Sequence, residues 1–280
     1  MGQVTFVIWR ESIEALLLIS IIYAWLKQHI DGRHGLKYLW GGVVIGCIAS
    51  VVLALLIYGV FNILDDTGQS LFMVIMEIAA CLLIVQMVYW MSRHGKSLKS
   101  DIETGLTTQT QRKNWWGVTF IVAIAIAREG SEVVVFLSSF IMALNKSNAV
   151  YFFISVFGGI AIAAFTVYLF SLFKRFIPWR IFFKLTGVIL LFLAISLLLK
   201  GMEEGINLLI EYDYSVPDFL YLPAWDTTNI IDDSGLFGNL LSSFFAYRSQ
   251  PIWLSVVTFM IFWISMAWIF LSGGKYAQQN

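Results

Sequence analysis

The chain has 280 residues, 59% of them hydrophobic and only 13% charged, and its 18 basic and 18 acidic side chains give a formal net charge of zero with a mean hydropathy of +0.79. Such a composition excludes a polyanion-binding role, so nucleic acid is not an expected partner, and it predicts an all-α polytopic membrane protein embedded in a lipid bilayer. Cys47 and Cys81 both fall in apolar stretches, where a thiol acts as a small apolar side chain and a disulfide would have little to cross-link.

Seven stretches approach the ~20 apolar residues that span ~30 Å of hydrocarbon. They cover residues 3–26, 37–61, 70–92, 115–143, 149–173, 181–200 and 252–271. The first contains Arg10-Glu11-Ser12-Ile13-Glu14 near its middle, so it is expected to stay in the mature protein and not to act as a cleaved leader. Gly41-Gly42 lies in the second, Glu77 in the third and Arg128-Glu129-Gly130-Ser131-Glu132 in the fourth, and Gly158-Gly159 follows in the fifth.

Basic residues alternate between the loops. Lys27, Arg33 and Lys37 follow the first stretch, Arg93, Lys96, Lys99, Arg112 and Lys113 the third, Lys174, Arg175, Arg180 and Lys184 the fifth, and Lys275 the seventh. The opposite side carries only Lys146, Lys200 and Arg248, so the positive-inside rule predicts an outer N-terminus and a cytoplasmic C-terminus. The segment 201–251 would then lie outside. It is acidic and aromatic, with Glu203, Glu204, Asp226 and Asp233 among its carboxylates, and it reads either as a solvated loop or as a collector of cations. Leu236, Phe237, Leu240, Leu241, Phe244 and Phe245 recur in it at the spacing of an interfacial amphipathic helix.

Each ionised side chain near the bilayer centre costs about 2.5–3.5 kcal/mol, so the Arg and Glu residues of the two motifs together represent on the order of 15–20 kcal/mol. Such an expense points to function. The motifs begin at residues 10 and 128, 118 apart, and the Gly-Gly pairs recur at nearly the same interval. Three stretches lie between equivalent points, so the halves are oppositely oriented, as in an inverted-repeat transporter. The predicted organisation is one membrane domain, residues 1–280: a three-helix repeat at 1–92, a second at 115–200, the outer loop at 201–251 and a seventh helix at 252–271.

Residues three and four apart share a helix face, so each motif presents two carboxylates and an arginine together. Converging repeats would join Glu11, Glu14, Glu129 and Glu132 with Arg10 and Arg128 at a formal charge of −2, before Glu77 is counted. Oxygen donors suit a hard cation, and neither motif contains His, Cys or Met. The competing view is that each arginine neutralises one glutamate and merely locks two helices, which leaves the other glutamate of each motif without a partner. Glu77 reads either as a pathway ligand or as a polar group satisfied by a neighbouring helix. No His-Glu-x-x-His or Cys-x-x-Cys sequence suggests an enzyme or a resident cofactor. An assembly subunit with purely structural motifs is the other class of reading.

Paired Arg-Glu-x-x-Glu motifs in the first and fourth of seven spans resemble the oxidase-dependent iron transporters, the fungal high-affinity iron permeases and the bacterial EfeU-type permeases. The resemblance also takes in Gly201-Met202-Glu203-Glu204, Trp225-Asp226, Asp233-Ser234 and the run from Gly238 to Tyr247 leading to Pro251. One departure is Ser12-Ile13 where the family often has Gly-Leu. The resemblance implies iron, usually described as ferric, moving as substrate across the cytoplasmic membrane. The motif glutamates would be its ligands, and an extracytoplasmic oxidase, peroxidase or iron-binding protein its supplier. A permease for another metal cation, such as lead or manganese, remains the alternative.

Overall fold

A long apolar run in lipid has no partner for its backbone amides except itself, and helices satisfy them internally. The described residues of the seven apolar stretches, save Ile252, are helical in the computed structural model, which describes residues 1–28, 32–94, 104, 115–142, 144–145, 147–172, 179–212, 217, 222–233 and 235–276. The helices are α1 (Gly2–Gln28), α2 (Gly32–Ile63), α3 (Asp66–His94), α4 (Trp115–Met142), α5 (Ala149–Leu172), α6 (Trp179–Glu211), α7 (Leu236–Phe245) and α8 (Trp253–Tyr276). There is no strand among the described residues, and a single antiparallel bridge joins Pro223 to Ile252. Lys96, Lys99, Arg112, Lys113, Lys146, Lys174, Arg175 and Ser234, and the side chains of Arg33, Arg180 and Lys275, lie outside the described residues.

Five helices, α2, α3, α5, α6 and α8, are long and apolar enough to cross a membrane. Helices α1 and α4 match them in length, 27 and 28 residues, but each carries an arginine and two glutamates near its middle. The sixth span, expected to end at Lys200, continues as helix to Glu211, so Gly201-Met202-Glu203-Glu204 is helical rather than the start of a loop. Lys200, Glu203 and Glu204 suggest a boundary by charge, but Ile206, Leu208, Leu209 and Ile210 resume the apolar pattern beyond them.

The chain divides into two units. The first comprises Met1–Ile63 and Trp90–Thr186, the second Leu64–Tyr89 and Gly187–Asn280, so the division falls inside the continuous helix α3.

In the first unit α2 packs along α4 and α1 along α5, with α1 also meeting α2 and α4. Glycines permit these approaches. A Cβ on Gly42 would lie 2.7 Å from Thr119 O and from Val122, one on Gly46 2.7 Å from Ile126, and one on Gly159 2.8 Å from Thr5 O and Ile8. Gly41 and Gly158 face nothing within 4 Å, so only the second glycine of each pair serves the contact. Residues Ala123 and Ile126, met by Gly46, stand 118 positions after Thr5 and Ile8, met by Gly159. Packing therefore pairs Gly159 with Gly46, whereas the sequence match pairs it with Gly42. A buried cluster of Ile22, Trp25, Leu26, Leu39, Val118, Val122 and Ile126 closes one end.

In the second unit α6 and α8 pack through aromatic rings, Phe192 and Trp263 having centroids 4.7 Å apart. Ser196 Oγ on α6 donates to Ser242 O on α7 at 3.0 Å. Helix α7 is the amphipathic segment expected from its sequence pattern. It ends with Ala246 in the left-handed region at φ 56°, while Tyr247 N–H donates back to Leu241 O at 3.3 Å.

Candidate metal centre in the first unit

The Arg-Glu-x-x-Glu spacing brings its charged side chains onto one face of α1. Arg10, 1% exposed, donates from Nη1 to Glu11 Oε1 at 2.8 Å and holds Nη2 2.7 Å from Glu14 Oε1 in an ion pair. Nη2 also donates to Met91 Sδ at 3.6 Å. A planar guanidinium suits this arrangement because its donors fan out in one plane and can serve several acceptors together.

The second motif sits on α4, where Gly130 is required: a Cβ there would collide with Ser50 Oγ on α2. Arg128 reaches Glu132 Oε1 from Nε at 3.3 Å, with its side chain 41% exposed, and its guanidinium carbon lies 4.8 Å from the centre of the Trp90 ring. One-residue and four-residue neighbours are thus used differently in the two motifs. Arg10 engages both of its glutamates, whereas Arg128 hydrogen-bonds Glu132 and leaves Glu129 to other company.

That company is Glu11 and Glu14. Ligand oxygens of Glu11, Glu14 and Glu129 all lie within 4.8 Å of one another. Glu11 Oε2 and Glu129 Oε2 are buried and accept no hydrogen bond. A buried acceptor left unsatisfied costs roughly 1–3 kcal/mol, more when charged, so the cluster has a chemical use for a cation. Metal–oxygen bonds of roughly 2.0–2.6 Å allow one ion to bridge oxygens spaced this way. Of the four motif glutamates, the structure thus brings Glu11, Glu14 and Glu129 together, while Glu132 pairs with Arg128.

Glu77 belongs to the second unit. It is 3% exposed, and Lys200 Nζ donates to its Oε1 at 2.5 Å. Lys200 escaped sequence reasoning as its partner because the two are 123 residues apart and Lys200 stands alone at the end of an apolar run. Three of the four acids singled out in the 201–251 segment have partners. Glu203 accepts from Ser255 Oγ at 3.1 Å and faces Arg248 Nε at 3.5 Å, Asp226 accepts from Thr228 and Gln250, and Asp233 accepts from Ser249 N at 3.3 Å. Glu204 is exposed.

Residues 1–272 match the Iron permease FTR1 family. The chain belongs to that family. It is 28% identical over 260 residues to an uncharacterized protein of Archaeoglobus fulgidus, covering 92% of this chain and 89% of that one. It is 26% identical to the ferrous iron permease EfeU of Escherichia coli O6:K15:H31, over 91% of this chain and 90% of the relative. The EfeU of Yersinia pestis is 25% identical, over 92% and 89%. No solved structure matches. As a member of an iron permease family the chain is a transporter, not an enzyme, and its apolar helices make it a multi-pass membrane protein.

Proposed function

We propose that this FTR1-family member is a seven-span permease of the cytoplasmic membrane, N-terminus outside and C-terminus inside, which carries iron inward through Glu11, Glu14 and Glu129. One observation carries the reading: carboxylate oxygens of Glu11, Glu14 and Glu129, from helices in opposite halves of the chain, lie within 4.8 Å of one another, and Glu11 Oε2 and Glu129 Oε2 are buried and accept no hydrogen bond. The exchange of partners between α1–α5 and α2–α4, and the 118-residue offset common to motifs and packing residues, support an inverted repeat.

In this mechanism Arg10 keeps Glu11 and Glu14 aimed at the ion, Arg128 keeps Glu132 close by as a fourth carboxylate, and Glu77 serves as a further ligand on the pathway once released from Lys200. Glu204, together with Glu203, Asp226 and Asp233, raises the cation concentration at the outer mouth. Membrane potential supplies ~2.3 kcal/mol per charge per 100 mV, which draws a multivalent cation inward strongly.

An all-oxygen donor set is the hard chemistry that favours ferric ion supplied by an outer oxidase or peroxidase partner. The E. coli and Y. pestis relatives are named ferrous permeases, which favours the second reading, ferrous ion. Radiolabelled iron accumulation in cells tests both. Glu129→Ala should abolish uptake at normal protein level, and near-normal uptake would contradict ligation. A membrane-impermeant ferrous chelator should leave ferric uptake intact and block ferrous uptake, while excess manganese or lead reveals whether another metal is the true cargo.

A further inference from the structure

The two motifs agree in sequence but hold their arginines differently. Arg10 bonds the glutamate that directly follows it, which demonstrates that this one-residue reach is available on such a helix. Arg128 does not use that reach. Its Nε goes to Glu132 and its guanidinium rests over Trp90, while Glu129 Oε2 accepts no hydrogen bond and a carboxylate oxygen of Glu129 lies within the cluster. Trp90 is followed by Met91, which accepts from Arg10, so two consecutive residues of α3 touch both arginines.

We propose that Trp90 is a positioning residue for cation binding: its ring holds the Arg128 guanidinium outward, so that Glu129 stays available to the ion. The inference rests on the permease reading of the same site. Arg128 is a tethered competitor for the carboxylate beside it, present at the high effective concentration of any group on a short linker. The indole face attracts the guanidinium through its quadrupole and offers it a flat surface to stack on. Without the ring, the side chain swings toward Glu129 and places a fixed positive charge where the cation must sit. Trp90 acts only through Arg128 and does not touch the ion.

The experiment measures two quantities on membrane-inserted or detergent-purified full-length protein: half-saturating iron in radiolabelled uptake, normalised to protein level, and equilibrium binding of Mn²⁺ by the loss of its free-ion electron paramagnetic resonance signal. W90A should weaken both roughly three- to thirtyfold, with the maximal uptake rate little changed. W90F, which keeps a ring, should remain near wild type, and W90L, which keeps bulk without a quadrupole, should behave as W90A. In an R128Q background the W90A shift should vanish. An equal shift in both backgrounds, or W90F as weak as W90L, overturns the role of Trp90. Should W90A fail to insert, the comparison of W90F with W90L decides the matter. Wild-type protein that binds Mn²⁺ with this Trp90 dependence but carries no iron contradicts the permease reading alone; iron transport unaffected by W90A and W90L contradicts this inference alone.

Discussion

A carboxylate oxygen of Glu11 on α1 lies within 4.8 Å of one from Glu129 on α4, although 118 residues separate them. Two carboxylates so close repel by about 4 kcal/mol at the effective dielectric of a partly solvated site, more where water is excluded. Arg10 offsets part of this for Glu11 and Glu14, and the guanidinium of the second motif is turned to Glu132 and Trp90. The imbalance is what a cation would correct, and it fixes what should happen when each part is changed.

Arg10 is buried against both of its glutamates. Arg10→Lys keeps the charge but loses the planar fork, so the protein should reach the membrane yet take up iron poorly. Arg10→Ala removes one partner of a buried pair, a loss of about 3–5 kcal/mol, and should lower the amount of folded protein. Quantitative immunoblotting beside uptake separates the two effects, and wild-type uptake by the lysine variant would reduce the arginine to a simple charge.

Gly159 and Gly158 form a matched test of the α1–α5 contact. Gly159→Ala forces a methyl against Thr5 O and Ile8 and should destabilise by about 1–3 kcal/mol, read as a lower melting temperature in detergent. Gly158→Ala meets open space and should be neutral or stabilising by about 0.5–1 kcal/mol.

Lys200 and Glu77 should be energetically coupled. Lys200→Met strands a carboxylate that is 3% exposed, whereas the lysine itself is 55% exposed, so water screens part of the interaction and a loss of about 1–3 kcal/mol is expected. Adding Glu77→Gln should recover most of it. Additive losses in the double-mutant cycle would mean that the pair contributes nothing to stability.

Asp226 organises the segment between α6 and α8. Its Oδ1 accepts from Thr228 Oγ1 at 2.6 Å and Thr228 N at 2.9 Å, and its Oδ2 from Gln250 Nε2 at 2.9 Å, hydrogen bonds that hold the carboxyl below its usual pKa. A depressed folded value means that the stabilisation is complete above the ordinary Asp value of about 3.9 and disappears as pH falls through the depressed one. Protection of the Thr228 amide in hydrogen exchange, corrected for intrinsic rate, should therefore fall on acidification in wild type and be low at every pH in Asp226→Ala.

How much of this could be read from the residues alone differs by element. Hydropathy located the five helices that are long and apolar enough to cross a membrane, because lipid forces long apolar runs into that form, and the spacing of Leu236 to Phe245 located α7. The end of α6 was misjudged because Lys200, Glu203 and Glu204 resemble a membrane boundary, while Glu77, the partner of Lys200, and Arg248 and Ser255, the partners of Glu203, lie far away in sequence. The expense of charge in lipid singled out the motif glutamates, three of which the structure brings within 4.8 Å of one another. The unequal treatment of Arg10 and Arg128 was not, since near-identical motifs gave no hint that Trp90 and Met91, uncharged members of an apolar run, would meet them. Gly42 was matched to Gly159 by interval, but packing shifts the equivalence to Gly46, because contacts follow helix faces and not sequence offset.

The central claim is that glutamates from both halves hold one ion. Equilibrium binding of radiolabelled iron to purified full-length protein, compared among wild type, Glu11→Gln and Glu129→Gln, tests it most directly. The account expects one site, weakened at least about tenfold by either substitution, the loss of one charged ligand being worth about 1.4 kcal/mol or more. Wild-type affinity in Glu129→Gln beside lost binding in Glu11→Gln would mean that α1 binds iron without α4, and the shared site would be wrong.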